Sequence, residues 1–354
     1  MMAMNMMNRI QQPIGIGFLV AVSVMSLSLA ITPGADGEEM GPVEPLENRL
    51  SRLFASVRSD PVPKELCAES HFVVSDESDH WLFKSDLSVP GGAYLCVGTD
   101  NNYTMAGWGK PDYLILMDFD QVVVDVHKVY RAVFLAAPSP EAFMSLWAKE
   151  SASELREILI KTYEDPVEQM RVLKAYRISR NLIEWRLKTQ MRFYRAKGIQ
   201  TFMDDPQQYE FIANLYRTNR VLLSRGDLTG KRTMKDIARV LKELGVPVRV
   251  VNLSNTEAYF DYMPSYRENI AALPIDENTL ILSTSLLTTD PWAAQGHYRY
   301  YIQKGLDYVS WLQRASTFSA KTIRMKRVKG HARGLYRLGP PPEPRQLKKH
   351  KSGS

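Results

Sequence analysis

Residues Ala93–Gln121 read AYLCVGTDNNYTMAGWGKPDYLILMDFDQ, and the rest of the chain is organised around them. Two apolar runs, Ala93–Val97 and Tyr113–Met117, each stop at polar residues, and Asn101–Lys110 between them has helical character. That is a strand, a loop, a helix and a second strand, the start of a parallel α/β sheet. The first strand ends in Gly98-Thr99-Asp100-Asn101-Asn102 and the second in Asp118-Phe119-Asp120. Ligands of open α/β sheets sit outside the carboxyl ends of the strands, so the site is expected here.

Downstream, Val122–Ala137 places Val123, Val126, Val129, Tyr130, Val133 and Phe134 on one helical face, with His127 expected on the helix surface. Three helix starts follow at Ser139-Pro140-Glu141, Asp165-Pro166-Val167-Glu168 and Asp205-Pro206, each a capping residue before proline. Residues 138–218 therefore read as a helical insertion, a lid or groove wall, whose cations Arg171, Arg177, Arg180, Arg186 and Arg192 form a solvated face. The α/β alternation then resumes. Strands at Arg220–Ser224, Val248–Leu253 and Thr279–Ser283 end in Arg225-Gly226-Asp227, Ser254-Asn255-Thr256-Glu257 and Ser283-Thr284-Ser285, with helices at Thr233–Leu244 and Tyr266–Leu273 between them. His297–Gln303 and Leu306–Gln313 around Lys304-Gly305 give a terminal β-hairpin signal. The expected fold is a doubly wound, mostly parallel α/β sheet over residues 93–320.

Before that domain, Arg9 is the only charged residue ahead of an apolar run from Ile14 to Ile31, and Asp36, Glu38 and Glu39 follow. Residues 1–35 read as an export signal, cleaved after Ala30 or Ala35; the run is also long enough for an inner-membrane anchor over residues 14–31. Residues 36–92 form an N-terminal extension in which Leu46–Ser56 allows a short helix and His71–Lys84 a strand or hairpin, with no function assigned. Export opens the choice for Cys67 and Cys96 between one disulfide and two free buried thiols.

The net charge of +6 is unevenly spread: eleven Lys and Arg against Glu343 alone lie between Lys321 and Ser354, which leaves −4 on everything before Lys321. Residues 321–354 read as a basic, disordered tail suited to an anionic envelope surface. Nucleic acid is disfavoured, since the body is acidic and Tyr336 is the tail's only aromatic.

Five strands ending in GTDNN, DFD, RGD, SNTE and STS resemble the class I fold of S-adenosylmethionine-dependent methyltransferases over roughly residues 90–313. The GTDNNY and DFDQ pattern is also similar to an uncharacterised group of exported bacterial proteins. Gly226-Asp227 and Ser254-Asn255-x-Glu257 are distantly similar to enzymes that transfer the aminocarboxypropyl group of that cofactor to diacylglycerol. The resemblance implies a cofactor set of Gly98, Thr99, Asp100, Asn101, Asp118, Asp120, Asp227 and Ser254. Within it, Gly98 and Thr99 approach the amino acid portion, Asp100 meets its ammonium, Asp118 or Asp120 accepts the ribose hydroxyls and Asp227 lies near adenine. Asn255 and Glu257 fall at the reacting sulfonium as the catalytic pair, with a small-molecule or lipid acceptor. The loop departs from the pattern, because Gly98 stands alone and Asn101-Asn102 replace further glycines.

Plainer roles compete with these. Asp100 and Asn101 also suit a helix cap, Asp118 and Asp120 a bare strand end, Asp227 a turn between glycines, and Asn255 and Glu257 a cap. No third acid or histidine has metal-ligand spacing with Asp118 and Asp120, and no Ser/His/Asp signature, phosphate loop or zinc spacing occurs. Two functions follow as expectations: a transferase using S-adenosylmethionine, or a non-catalytic exported binding or envelope-associated protein that kept the fold.

Overall fold

The two apolar runs of the decisive stretch become adjacent, parallel, wholly buried strands, β1 (Ala93–Val97) and β2 (Tyr113–Asp118), paired from Ala93 with Tyr113 to Val97 with Met117. Successive side chains alternate between faces. Tyr94, Cys96, Leu114 and Leu116 enter one core, and Ala93, Leu95, Val97, Ile115 and Met117 the other. A strand buried on both faces must read as an unbroken apolar run, and these two do. The structure is a computed structural model that describes residues 45–61, 71–286 and 298–343. The expected export segment and Cys67 lie outside the described residues.

In chain order the helices are α1 (Leu46–Ala55), α2 (Asn101–Gly109), α3 (Gln121–Ala136), α4 (Pro140–Leu146), α5 (Ala152–Thr162), α6 (Pro166–Ala196), α7 (Pro206–Arg217), α8 (Thr233–Glu243), α9 (Pro264–Ala272), α10 (Gly305–Leu312) and α11 (Ala320–Arg324). The remaining strands are β3 (Val221–Arg225), β4 (Val248–Asn252), β5 (Ile275–Leu286), β6 (Tyr298–Lys304), β7 (Val328–Lys329) and β8 (Leu335–Leu338). They form one sheet in the order β3-β2-β1-β4-β5-β6-β8-β7. β1 to β5 run parallel, and β6 turns antiparallel against β5. The order reverses direction between β1 and β4, which opens a crevice beyond their carboxyl ends. Helices cover both faces. An aromatic cluster that includes Tyr103, Tyr130, Phe134, Phe143 and Phe202 packs on one side, and Met234, Ile237, Tyr266, Tyr308 and Trp311 on the other.

The fold class is the doubly wound α/β sheet expected, and its antiparallel end differs in detail. Leu306–Gln313 is not a hairpin strand: Gly305–Leu312 is α10, with Tyr308, Trp311 and Leu312 turned inward at helical spacing. The antiparallel pairs are β5 with β6 and β7 with β8. Residues 321–343 are not a free tail either, since α11, β7 and β8 occupy them and β8 pairs in parallel with β6. Ile323, Leu335 and Leu338 supply the buried side chains, too sparse among cations to register as a pattern. His71–Lys84 forms no hairpin; it runs as loop into a 3-10 turn at His80–Asp86. Among the described residues no helix is long and apolar enough to cross a membrane.

Candidate functional site

Gly98 follows the last residue of β1 with φ 87°, a left-handed conformation that side chains other than glycine resist. A Cβ built there would meet nothing within 4 Å, so the backbone turn and not crowding demands glycine. The open space in front of it is a cavity of about 760 Å³ over the strand ends, a volume within the roughly 300–1,000 Å³ typical of small-ligand pockets. Of the expected residues, Gly98, Thr99, Asn101, Asp118, Asp120, Asp227, Ser254 and Asn255 line it. Phe72, Phe119, Leu228, Phe260 and Tyr298 give it apolar walls. Asp100 and Glu257 do not reach it.

Asp118 is the last residue of β2, 7 % exposed, with no cation within ion-pair distance among the described residues. It accepts a hydrogen bond from the Asp120 backbone N–H at 2.9 Å. Burial pushes its carboxyl up to about 7; backbone N–H groups work against the rise and the nearby Asp120 charge adds to it. Asp120 has local duties: it caps α3 through the Val122 N–H at 2.8 Å and meets His71 Nδ1 at 2.7 Å. Asp227 holds its own turn, accepting from the Thr229 N–H at 2.7 Å and Oγ at 2.8 Å.

The two asparagines that stand in place of loop glycines work as latches. Asn102 accepts from Asn252 Nδ2 at 2.8 Å and donates to the Val97 carbonyl at 3.1 Å, tying the ends of β1 and β4 across the crevice. Asn101 donates to Ser75 Oγ at 2.8 Å and to the Glu77 carbonyl at 3.0 Å. Just past β4, Ser254 holds φ 51°, unusual for a residue with a side chain, and the surrounding structure pins it there. Its Oγ donates to Glu77 Oε1 at 2.8 Å and its carbonyl accepts from the Thr284 N–H at 2.8 Å.

Asp100 is withdrawn behind the loop. Its carboxylate pairs with Arg186 Nε at 2.8 Å and accepts from the Ser75 N–H at 2.8 Å. Burial alone would raise this carboxyl, and the guanidinium more than offsets it, leaving Asp100 below its ordinary range. Arg186 is thus no part of a solvated face: it is 3 % exposed and also donates to Asn101 Oδ1 at 3.1 Å. An inward-facing position on α6 is invisible in a helix this rich in arginine. The two residues expected to act as a catalytic pair also separate. Asn255 faces the cavity, whereas the buried Glu257 turns toward the opposite layer and accepts from Arg324 at 2.8 Å, Tyr308 at 2.7 Å and Tyr262.

Two groups at the wall were not expected from the sequence. Glu77 lines the cavity fully buried, with Ser254 and Thr284 hydroxyls on Oε1 and His80 Nε2 3.1 Å from Oε2. Burial works against the Glu77 anion, and His80 with those hydroxyls overcomes it, so its carboxyl is lowered. His80 Nδ1 has no hydrogen-bond partner among the described residues. The signal was four ionisable residues within Asp76-Glu77-Ser78-Asp79-His80, a density a plain strand would not carry. His127, expected at the surface, is buried; its Nε2 lies 2.8 Å from the Gly98 carbonyl and its Nδ1 2.8 Å from Tyr103 Oη. A carbonyl only accepts, so Nε2 carries the proton and Nδ1 accepts from Tyr103. Burial pushes His127 down to about 4, which keeps the ring neutral while it holds the Gly98 peptide.

Chemically, the cavity offers a buried carboxyl for hydroxyl groups, an open glycine for close backbone approach, amide side chains and apolar walls. No curated protein matches the chain by sequence. Among solved structures, the rRNA methyltransferase aviRa from Streptomyces viridochromogenes is similar at 13% identity and TM-score 0.25, over 72% of this chain and 80% of that one, a distant likeness from which nothing is taken about activity. A family model described as "Domain of unknown function (DUF7790)" matches residues 72–339, most of the length, and the chain belongs to that family.

Proposed function

We propose that the cavity binds S-adenosylmethionine and that the protein transfers a group from it, methyl or aminocarboxypropyl, to a small-molecule or lipid acceptor. The observation that carries this is the pair at the switch point: Gly98 open to the cavity, and Asp118 buried beside it with no cation among the described residues. Asp118 would accept the ribose hydroxyls, Gly98 and Thr99 would border the amino acid portion, and Asp227, Phe119 and Leu228 would flank the adenine. When bound, the cofactor supplies an activated alkyl group on a sulfonium. His127 holds the Gly98 peptide in place, and Asn255 orients an acceptor at the end of β4. Transfer of this kind rests mainly on alignment, which fits a wall of amides and hydroxyls. Asp100 takes no part with the ammonium, since Arg186 already neutralises it.

A second reading, an exported binding protein without catalysis, is favoured by the withdrawal of Glu257 from the cavity, which separates it from Asn255. Calorimetry with S-adenosylmethionine and S-adenosylhomocysteine tests the first reading. Binding tighter than about 100 μM that is lost in Asp118→Ala supports it, and no heat with either ligand sinks it. Export is part of both readings. Residues 1–40 fused to a reporter active only outside the cytoplasm should give signal, and a silent fusion would count against export.

A further inference from the structure

The long helix α6 buries one face, through Val172, Ala175, Tyr176, Ile183 and Leu187, against the body. Its opposite face is also apolar. Val167, Met170, Ile178, Leu182 and Trp185 are exposed, with Met170 at 65 %, Leu182 at 48 % and Trp185 at 59 %. At 100° per residue these five fall within one third of the helix circumference, a stripe about 27 Å long from Val167 to Trp185. The exposed cations Lys174, Arg177, Lys188 and Arg192 lie along the same side. Lys174 and Arg177 have no ion-pair partner among the described residues, and neither acid of the helix is exposed: Glu168 bonds Lys128 at 2.6 Å and Glu184 bonds Lys188 at 2.7 Å.

A solvated helix has no reason to hold an indole and four aliphatic side chains in water beside unpaired cations. An interfacial helix needs that combination, with apolar groups for the acyl boundary and Lys or Arg for lipid phosphates. We propose that the outer face of α6 docks this protein on an anionic phospholipid bilayer, with Ile178, Leu182 and Trp185 entering the headgroup boundary and Lys174 and Arg177 on the phosphates. A second copy of α6 would set cation against cation. Nucleic acid would use the cations and Trp185 but would gain nothing from Val167, Met170, Ile178 and Leu182. The inference rests on α6 alone and stands whether or not the cavity binds S-adenosylmethionine.

The test is made on the full-length protein, with Trp185 emission isolated as the difference between wild type and Trp185→Phe. With phosphatidylglycerol vesicles that emission should shift to the blue and be quenched when the acyl chains are brominated, and phosphatidylcholine vesicles should produce neither effect. The Lys174→Gln/Arg177→Gln variant should partition roughly thirtyfold more weakly. Unchanged Trp185 emission while the protein sediments with vesicles would show attachment elsewhere, at the N-terminal apolar run for example, and would overturn the proposal. Equal quenching by neutral vesicles, a shift produced by duplex RNA in their place, or a shift that depends only on protein concentration would each overturn it too.

Discussion

Two buried acids stand where adjacent strands end, and the protein treats them in opposite ways. Asp100, three residues past β1, receives a guanidinium from α6 and the Ser75 backbone N–H, so its charge is matched and turned away from the cavity. Asp118, closing β2, receives backbone N–H groups and, among the described residues, no cation, and it stands near the like charge of Asp120, so its proton is held far more tightly. Burial is nearly the same for both. What separates the two acids is that a cation reaches Asp100 and, among the described residues, none reaches Asp118; the hydroxyl groups of the proposed ligand would have a use only for the unmatched one.

The largest expected effect breaks the Asp100 side. Arg186→Met should cost about 3–5 kcal/mol in urea unfolding, because it leaves a buried carboxylate without its partner. Adding Asp100→Leu to it should recover much of the loss. A cost below about 1 kcal/mol for the single variant would remove the contrast.

The next sharpens the Asp118 side. An acid whose folded-state pKa is raised holds its proton in the folded protein after the unfolded chain has released it, so stability falls as pH rises from the ordinary carboxyl range to about 7. Asp118→Asn removes that fall. The variant should be more stable than wild type by about 2–4 kcal/mol at pH 8 and converge with it near pH 4. His127, pushed down to about 4, tilts the other way, with stability lost as pH falls through 6.5 toward 4. That term is common to both proteins and drops out of the difference. Denaturant midpoints across pH measure it, and parallel curves would mean that Asp118 titrates normally.

A smaller effect separates Glu257 from Asn255 in the same manner. Glu257→Gln should cost about 1–3 kcal/mol by leaving Arg324 without its counter-ion, with cavity binding unchanged. Asn255→Ala should move stability by no more than about 0.5 kcal/mol. Loss of ligand heat in Glu257→Gln with an unchanged unfolding midpoint would return Glu257 to the site. The smallest effect is expected at Cys96, whose thiol burial in β1 pushes its pKa up. Peptide mapping after thiol alkylation should find Cys96 unmodified in the folded protein and modified in denaturant.

Read alone, the chain determined what depends on near neighbours. Unbroken apolar runs closed by Gly98 and by Asp118 identify doubly buried strands and their ends, and capping residues before Pro140, Pro166 and Pro206 identify helix starts, because each signal lies within a few residues. The local order of strands and helices then names the sheet and the end at which a cavity opens. Which polar side chain faces that cavity is a different matter. Arg186 reaches Asp100 across 86 residues, Ser254 reaches Glu77 across 177, and Arg324 takes Glu257 across 67. Those meetings moved Asp100 and Glu257 out of the expected site and brought Glu77 into it. His127 shows the same limit, since a histidine on a helix that packs against a strand end looks no different in sequence from one in water. Residues 321–343 show it for backbone, where edge pairing with β6 supplies hydrogen bonds that no side-chain pattern announces. Partners of charges and of strand edges are set by contacts remote in sequence, so which of the described acids meet a cation and which do not follows from how the sheet and helices assemble and not from any local pattern.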